Sequence, residues 1–340
     1  MRVRSRSHIS TSILICWGEQ VKLTIVGSLA YDSIGTDTGA VDDVLGGSAI
    51  YAGFAAAGHL ARYAELGTPE EVGLVGVVGA DFLPQDMARL ESAGLELDGI
   101  SQVPGKTFRW RGLYAGDKSQ AQTLVTDLNV FETFDPKLPE SLMRPRITFC
   151  ANMHPRVQMK VFQQSQPSGF SAVDSMNLWI TTTKDELSEL LRSVDMLILN
   201  DDEVRMLGGE RDLLESAEAI RSGEALSKGR EAGAGPSMII IKRGAGGVLA
   251  LIGEGAVSLP GFPVIEVVDP TGCGDSFAGA MLAHLAGTGS GLPTESRLSE
   301  ALIHANVTAS FTLESFGVDA LENLDPQRYS RRIEEYSSML

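Results

Sequence analysis

Six short apolar runs decide what this chain of 340 residues can become. They are Leu23 to Val26, Val72 to Val78, Ile147 to Cys150, Gly169 to Val173, Met196 to Leu199 and Met238 to Ile241. Each is apolar at successive rather than alternate positions, so each must be covered on both faces. Helical patterns separate them: Ser48 to Leu60, Pro84 to Ala93, Lys184 to Arg192, Asp212 to Ser222, Asp275 to Leu285 and Arg297 to Leu313. Glycine and proline mark the changes. Short two-faced strands alternating with helices imply an α/β fold around a buried, mostly parallel sheet. Two segments break the rhythm. Residues 32–45 and 103–130 are richer in polar and β-prone residues, and Thr107 to Tyr114 alternates as a half-exposed strand does. They read either as a small sheet of their own or as a meander at the edge of the main one.

An apolar fraction of 43% is enough for a substantial core. The net charge of −16 argues against a nucleic-acid or anionic-membrane partner. No apolar run approaches the roughly 20 residues that span a bilayer. Cys16, Cys150 and Cys273 have no metal-site spacing, and the simple reading is a reducing cytoplasm. The start differs from the rest: Arg2, Arg4 and Arg6 lie in a Ser/Thr-rich stretch in which Glu19 is the sole acid. Its apolar piece, Ile13 to Trp17, is too short for a signal-peptide core. A transit peptide, a disordered extension and a misplaced start codon all fit, and residues 1–20 are set aside. Residues 21–330 are expected to form one folded unit and 331–340 a C-terminal tail.

The most chemically specific stretch runs from Val267 to Phe277: Val-Val-Asp-Pro-Thr-Gly-Cys-Gly-Asp-Ser-Phe. It follows an apolar run, Pro263 to Val268, and opens a small-residue helix. Backbone N–H groups of Gly272, Cys273 and Gly274 would then lie at a helix N-terminus, where first-turn amides lack partners and the dipole favours an anion. Asp275 beside such a site reads as a base facing a phosphate, or as an ordinary helix cap. Other turns carry the same double reading. Leu45-Gly46-Gly47-Ser48 allows close backbone approach or merely a tight turn before a helix. Asn200-Asp201-Asp202-Glu203 can organise a cation or form a capping box, and the two are compatible. Lys242-Arg243-Gly244-Ala245-Gly246-Gly247 follows a strand but is not a Walker A loop. Gly27-Ser28-Leu29-Ala30 lacks the Gly-x-Gly-x-x-Gly of dinucleotide-binding oxidoreductases. His154 and His304 suggest no metal pair.

The stretch Asp269 to Asp275 resembles the Asp-Thr-x-Gly-Ala-Gly-Asp signature of the PfkB, or ribokinase-like, family of sugar and nucleoside kinases. Pro270 replaces the usual Thr and Cys273 the usual Ala. The supporting motifs lie in order along residues 22–320. The resemblance implies a three-layer α/β/α fold with a β-strand lid from segments 32–45 and 103–130. It implies ATP-dependent phosphorylation of a hydroxyl on a small sugar or a nucleoside, with ATP and Mg²⁺ and in some relatives K⁺. Asp275 would be the base, and Gly272, Cys273 and Gly274 the anion hole. Asp32, Gly46, Gly47 and Asp269 would face the sugar. Asn200 and Glu203 would organise Mg²⁺, largely through water, and Lys242 or Arg243 would meet phosphate. Gly244 and Gly247 would lie by the nucleotide, and Asn306 would line the adenine slot. Asn177, in a segment similar to the family's Asp-x-Asn, would orient phosphate or substrate, whereas Trp179 would pack. Lid aromatics Phe108, Trp110 and Tyr114 could stack on a base or a sugar face. K⁺ would bind near Asp269 and the turn from Ser315 to Gly317. The resemblance also implies a homodimer formed through lid strands. A non-catalytic sensor on the same scaffold is the alternative that retention of Asp275, Asn200 and Glu203 disfavours.

Overall fold

The computed structural model describes residues 21–116, 121–209 and 211–340. Residues 1–20, Cys16 among them, lie outside the described residues. In chain order the strands are β1 (Leu23–Val26), β2 (Ala30–Thr36), β3 (Gly39–Gly46), β4 (Val72–Gly79), β5 (Glu96–Val103), β6 (Phe108–Leu113), β7 (Gln122–Asp127), β8 (Ile147–Cys150), β9 (Phe170–Asp174), β10 (Met196–Asn200), β11 (Met238–Lys242), β12 (Val248–Ile252) and β13 (Gly255–Leu259). The helices are α1 (Ser48–Arg62), α2 (Pro84–Ser92), α3 (Pro155–Gln164), α4 (Asn177–Thr182), α5 (Lys184–Leu191), α6 (Asp201–Gly208), α7 (Leu213–Arg221), α8 (Cys273–Thr288), α9 (Glu295–Thr312), α10 (Asp319–Glu322) and α11 (Pro326–Ser337).

All six apolar runs become strands of one nine-stranded sheet, in the order β13-β12-β11-β10-β9-β8-β1-β4-β5. The strands from β11 to β5 pair in parallel, and β12 and β13 add an antiparallel edge. The alternation of strand side chains explains why the runs are apolar throughout. Met196 and Ile198 enter one core together with α1, α8 and α9. Leu197 and Leu199 enter the other with α3, α5, α6 and α7. The result is a three-layer α/β/α sandwich. Sequence patterning passed over β5, which carries Glu96, Asp98 and Gln102 because it is an edge strand, and also the β12–β13 hairpin.

The two irregular segments form a separate four-stranded sheet, ordered β3-β2-β6-β7, and not a meander on the main one. Its outer pairs are antiparallel, while β2 and β6 run parallel. Arg109 on β6 ties it to the body, bonding Asp81 at 3.0 Å and Asp43 on β3. The C-terminal tail also differs from expectation. Helix α11 runs to Ser337, and Tyr329 and Tyr336 are buried against α9 because its apolar face seals a small third core.

The chain enters the main sheet at β1, fills β4 and β5 on one side, and then crosses to β8 on the other. Such a reversal of strand order opens a crevice at the carboxyl ends of the strands. Gly27 lies in that crevice, where a Cβ would meet Ser48 Oγ at 2.7 Å and Ala151 Cβ at 3.0 Å.

Helices α1 and α8 meet through Gly279. A Cβ there would lie 2.1 Å from the Ala52 carbonyl oxygen, which is backbone and cannot swing aside. Gly279→Ala gains about 1 kcal/mol of helix propensity but forces an overpacking cost of about 1–3 kcal/mol. We expect its urea midpoint to fall with an unchanged m-value; an equal or higher midpoint refutes this account of the contact.

Candidate active site

The site assembles at the carboxyl edge of the sheet. Helix α8 begins there after Gly272, whose φ of +71° is the left-handed conformation that glycine tolerates. A side chain at Gly272 would also collide with Tyr51, since a Cβ would come within 2.2 Å of its ring. No side chain caps the helix. Among the described residues, no backbone carbonyl receives the N–H of Gly272 or Gly274. The N–H of Cys273, by contrast, donates to the Pro270 carbonyl at 3.2 Å. That corrects the sequence reading: Cys273 is not a free amide, because the turn closing the motif uses it. Its thiol contacts the Ala309 carbonyl and is pushed up by burial to about 12.

Asp275 is partly buried in the first turn of α8. Burial, reinforced by the Asp174 charge and opposed by Lys242, raises its carboxyl to about 7. Lys242, the last residue of β11, bonds Asp174 Oδ2 at 2.8 Å. Its Nζ lies 3.1 Å from where a Gly274 Cβ would stand. Burial works against its charge, but Asp174, Glu203 and Asp275 outweigh it and push the ammonium well above its ordinary range. Of the two cations the sequence offered, Lys242 is the one at the site; Arg243 turns back to the Gly246 carbonyl at 2.6 Å.

Asn200 and Glu203 form a reciprocal capping box on α6, each bond 2.8 Å long. The Asn200 oxygen is thereby committed to the helix. Burial raises the Glu203 carboxyl to about 7, with Lys242 opposing, and the Asn177 N–H also reaches it. No cluster of three His, Cys, Asp or Glu stands ready to hold a metal among the described residues. A cation here would draw most of its oxygen ligands from phosphate and water, with Glu203 the fitting side chain and Asn200 not.

Asp32, on β2, is buried and receives the Gly47 N–H. Desolvation first, then the charges of Asp269 and Asp275, raises it to about 7. Gly46 must lack a side chain, because a Cβ would lie 2.1 Å from Asp32 Oδ2. Gly47, at φ +98°, caps α1. Asp269 does not face a ligand as expected. Its oxygens accept the N–H groups of Thr271 at 2.8 Å and Gly317 at 3.3 Å, so it clamps the motif to the 315–317 turn.

Several expected contacts belong to packing. Phe108 stacks on Phe131, and Trp110 donates to Thr123 within its own sheet. Only Tyr114 reaches the motif, accepting from Thr271 Oγ1 at 3.3 Å. Trp179 packs as expected, on His154. Asn306 stands apart from the cluster, its amide donating to Tyr336 Oη at 2.9 Å. Gly247 is required by the chain itself, since a Cβ would lie 2.1 Å from the Leu259 oxygen. Gly244, at φ +52°, has nothing within 4 Å of a Cβ position and leaves its backbone approachable. The sequence offered no role for Asp174 or Tyr51. Asp174 ends β9 and would have needed the β9–β11 neighbourhood to be known; Tyr51 lies in an alanine-rich helix where no sequence motif singles it out.

Comparison with known proteins agrees with this fold. The sequence model of the pfkB family carbohydrate kinases matches residues 20–324. A cytidine kinase of Thermococcus kodakarensis is 27% identical over 267 residues, covering 77% of this chain and 87% of that protein. The nucleoside kinase of Methanocaldococcus jannaschii superimposes with a TM-score of 0.68 at 18% identity, covering 94% and 99% of the two chains. A ribokinase of Cryptococcus neoformans, solved with ADP, gives 0.69 at 22% identity and covers 93% and 100%. The family match together with a ribokinase-like fold defines the class: a small-molecule phosphotransferase. The chain belongs to the pfkB family of carbohydrate kinases.

Because burial raises the Asp275 carboxyl, the folded protein holds that proton more tightly than the unfolded chain does. Its contribution to stability is full below the unfolded carboxylate range and is lost as pH rises through about 7. Asp275→Asn removes the cost of the buried charge. Its Tm should exceed the wild type's at about pH 8, with a smaller difference at about pH 5; thermal scans at both values test this, and a lower Tm at the higher pH contradicts it.

Proposed function

We propose that this kinase transfers the γ-phosphoryl group of ATP to a hydroxyl of a small sugar, with Asp275 as general base. The observation that carries this is one carboxylate beside two unpartnered amides, those of Gly272 and Gly274, with the Lys242 ammonium next to them. Asp275 accepts the proton as the acceptor oxygen attacks phosphorus, and the ADP oxygen leaves. The Gly272 and Gly274 amides and Lys242 balance the charge on the transferring group, which is what this reaction chiefly demands. When bound with ATP, Mg²⁺ supplies charge neutralisation on the phosphate oxygens, with Glu203 toward it. Asp32 orients the acceptor, since a carboxylate accepts hydrogen bonds from adjacent hydroxyls. Gly244 gives the nucleotide a backbone surface to approach. The small sheet excludes water from the reaction.

A nucleoside acceptor is the second reading. The likeness to a cytidine kinase favours it, and a nucleoside presents the same ribosyl hydroxyls to Asp32 and Asp275. Two further elements belong to the proposal. K⁺ activates, through the segments that Asp269 draws together. A second copy covers the exposed edge strand β7, where Leu124 and Val125 face solvent. The enzyme works in the cytoplasm. No helix among the described residues is long and apolar enough to cross a membrane.

Coupled ADP release with D-ribose, D-fructose, adenosine and cytidine tests the reaction and separates the two acceptor readings. Asp275→Asn should retain ATP binding and lose about 10²–10⁴-fold in turnover; near-normal turnover removes Asp275 from the role of base. In the wild type, kcat/KM should rise with pH through about 7 as Asp275 deprotonates, and a flat profile across that range opposes the assignment.

A further inference from the structure

Tyr31 and Asp32 are neighbours on β2, so their side chains leave the strand on opposite faces. Asp32 turns toward Gly46 and Gly47, whereas Tyr31 enters the core beneath. The Tyr31 hydroxyl donates to Asp86 Oδ2 at 2.7 Å and accepts the Leu83 N–H at 2.9 Å. Tyr31 and Asp86 are both buried, and Arg89 stands 3.8 Å from the other Asp86 oxygen. The Tyr31 ring packs on Phe82, with centroids 5.6 Å apart, and the Arg109 guanidinium lies 5.2 Å over it. Just before these residues, Asp81 accepts the N–H and the hydroxyl of Thr107, at 2.6 and 2.8 Å, and Arg109 at 3.0 Å. Residues 81–86, which lead into α2, therefore hold β2 and the start of β6 together. The hold on β2 falls one residue from Asp32. Phenylalanine at position 31 would make the same ring contacts. What the hydroxyl adds is two directional bonds, and a group that grips a ligand needs supporting residues locked in this way.

We propose that Tyr31 is a positioning residue for acceptor binding: bonded to the first turn of α2, it fixes where Asp32 stands. It touches no reactant and acts through its neighbour. This rests on the reading of Asp32 as the grip on the acceptor, and it assigns the placing of that grip to a residue of the core. The small sheet can then be loosened at β2 without disturbing Asp275, which belongs to the body.

Tyr31→Phe deletes the oxygen and keeps the ring. With cytidine or D-ribose as acceptor, the acceptor KM should rise about fivefold, the scale of one hydrogen bond. The KM for ATP and kcat should hold, the pattern of lost acceptor binding alone. In an Asp32→Asn background the same substitution should raise the acceptor KM no further, because its effect passes through Asp32. Amide hydrogen exchange over residues 30–36 should be about fivefold faster, with β4 unchanged. Asp86→Ala, which removes the acceptor of the hydroxyl and keeps the tyrosine, should show the same split and serves if Tyr31→Phe folds poorly. An unchanged acceptor KM overturns the proposal, as does an equal rise in both backgrounds. Exchange that quickens equally in β4 also overturns it, since that marks a general loss of stability. If Asp32→Asn alone leaves the acceptor KM unchanged, or the wild type releases ADP with neither probe, the reading of the site is what fails. The exchange comparison then decides by itself whether Tyr31 holds the strand.

Discussion

The buried ion pair of Lys242 with Asp174 is the interaction around which the rest of the site is arranged. Two adjacent-but-one strands, β9 and β11, end in opposite charges, and β10 between them ends in the capped helix that holds Glu203. Placing an ammonium below the surface is costly unless it is paired and hydrogen-bonded. Three carboxylates repay that cost, and in return Lys242 stands beside the first turn of α8, where the helix already offers unpaired amides. The glycines of the motif follow from this crowding. Gly272 makes way for the Tyr51 ring, and Gly274 leaves room for the Lys242 head group.

Much of the fold could be read from the chain. Two-faced apolar runs appear as the parallel sheet because their alternate residues supply two different cores. The capping box at Asn200 could be read too, and so could a close backbone approach at Gly46 and Gly47, although not that Asp32 is what Gly46 approaches. What escaped was decided by distance in space. No pattern says that the Cys273 amide closes its own turn, or that Asp269 reaches Gly317, which lies 48 residues away. Phe108 and Trp110 looked available for a ligand because their stacking partners come from other segments. The charged edge strand β5 lacks the hydrophobicity that marks a strand, and the inner face of α11 is marked by few apolar residues, Tyr329, Ile333 and Tyr336.

Asp32, Glu203 and Asp275 share one condition: burial raises each toward neutrality. A fold selected for stability alone would not bury them. Their burial weakens the protein as pH rises, and the same burial leaves Asp275 with a carboxyl near 7, in the range the proposed base needs to take a proton from an alcohol. Stability and reactivity are thus opposed in the same few side chains.

The strand that carries Asp32 is not part of the main sheet. It belongs to the small one, bonded on one side to β3 and on the other to β6. Asp275 belongs to the body, on the helix that packs with α1 and α9. Any rocking of the small sheet therefore changes the gap between Asp32, the proposed grip on the acceptor, and Asp275, the proposed base. A molecule held on β2 travels with that motion, whereas a stray water has no such carrier.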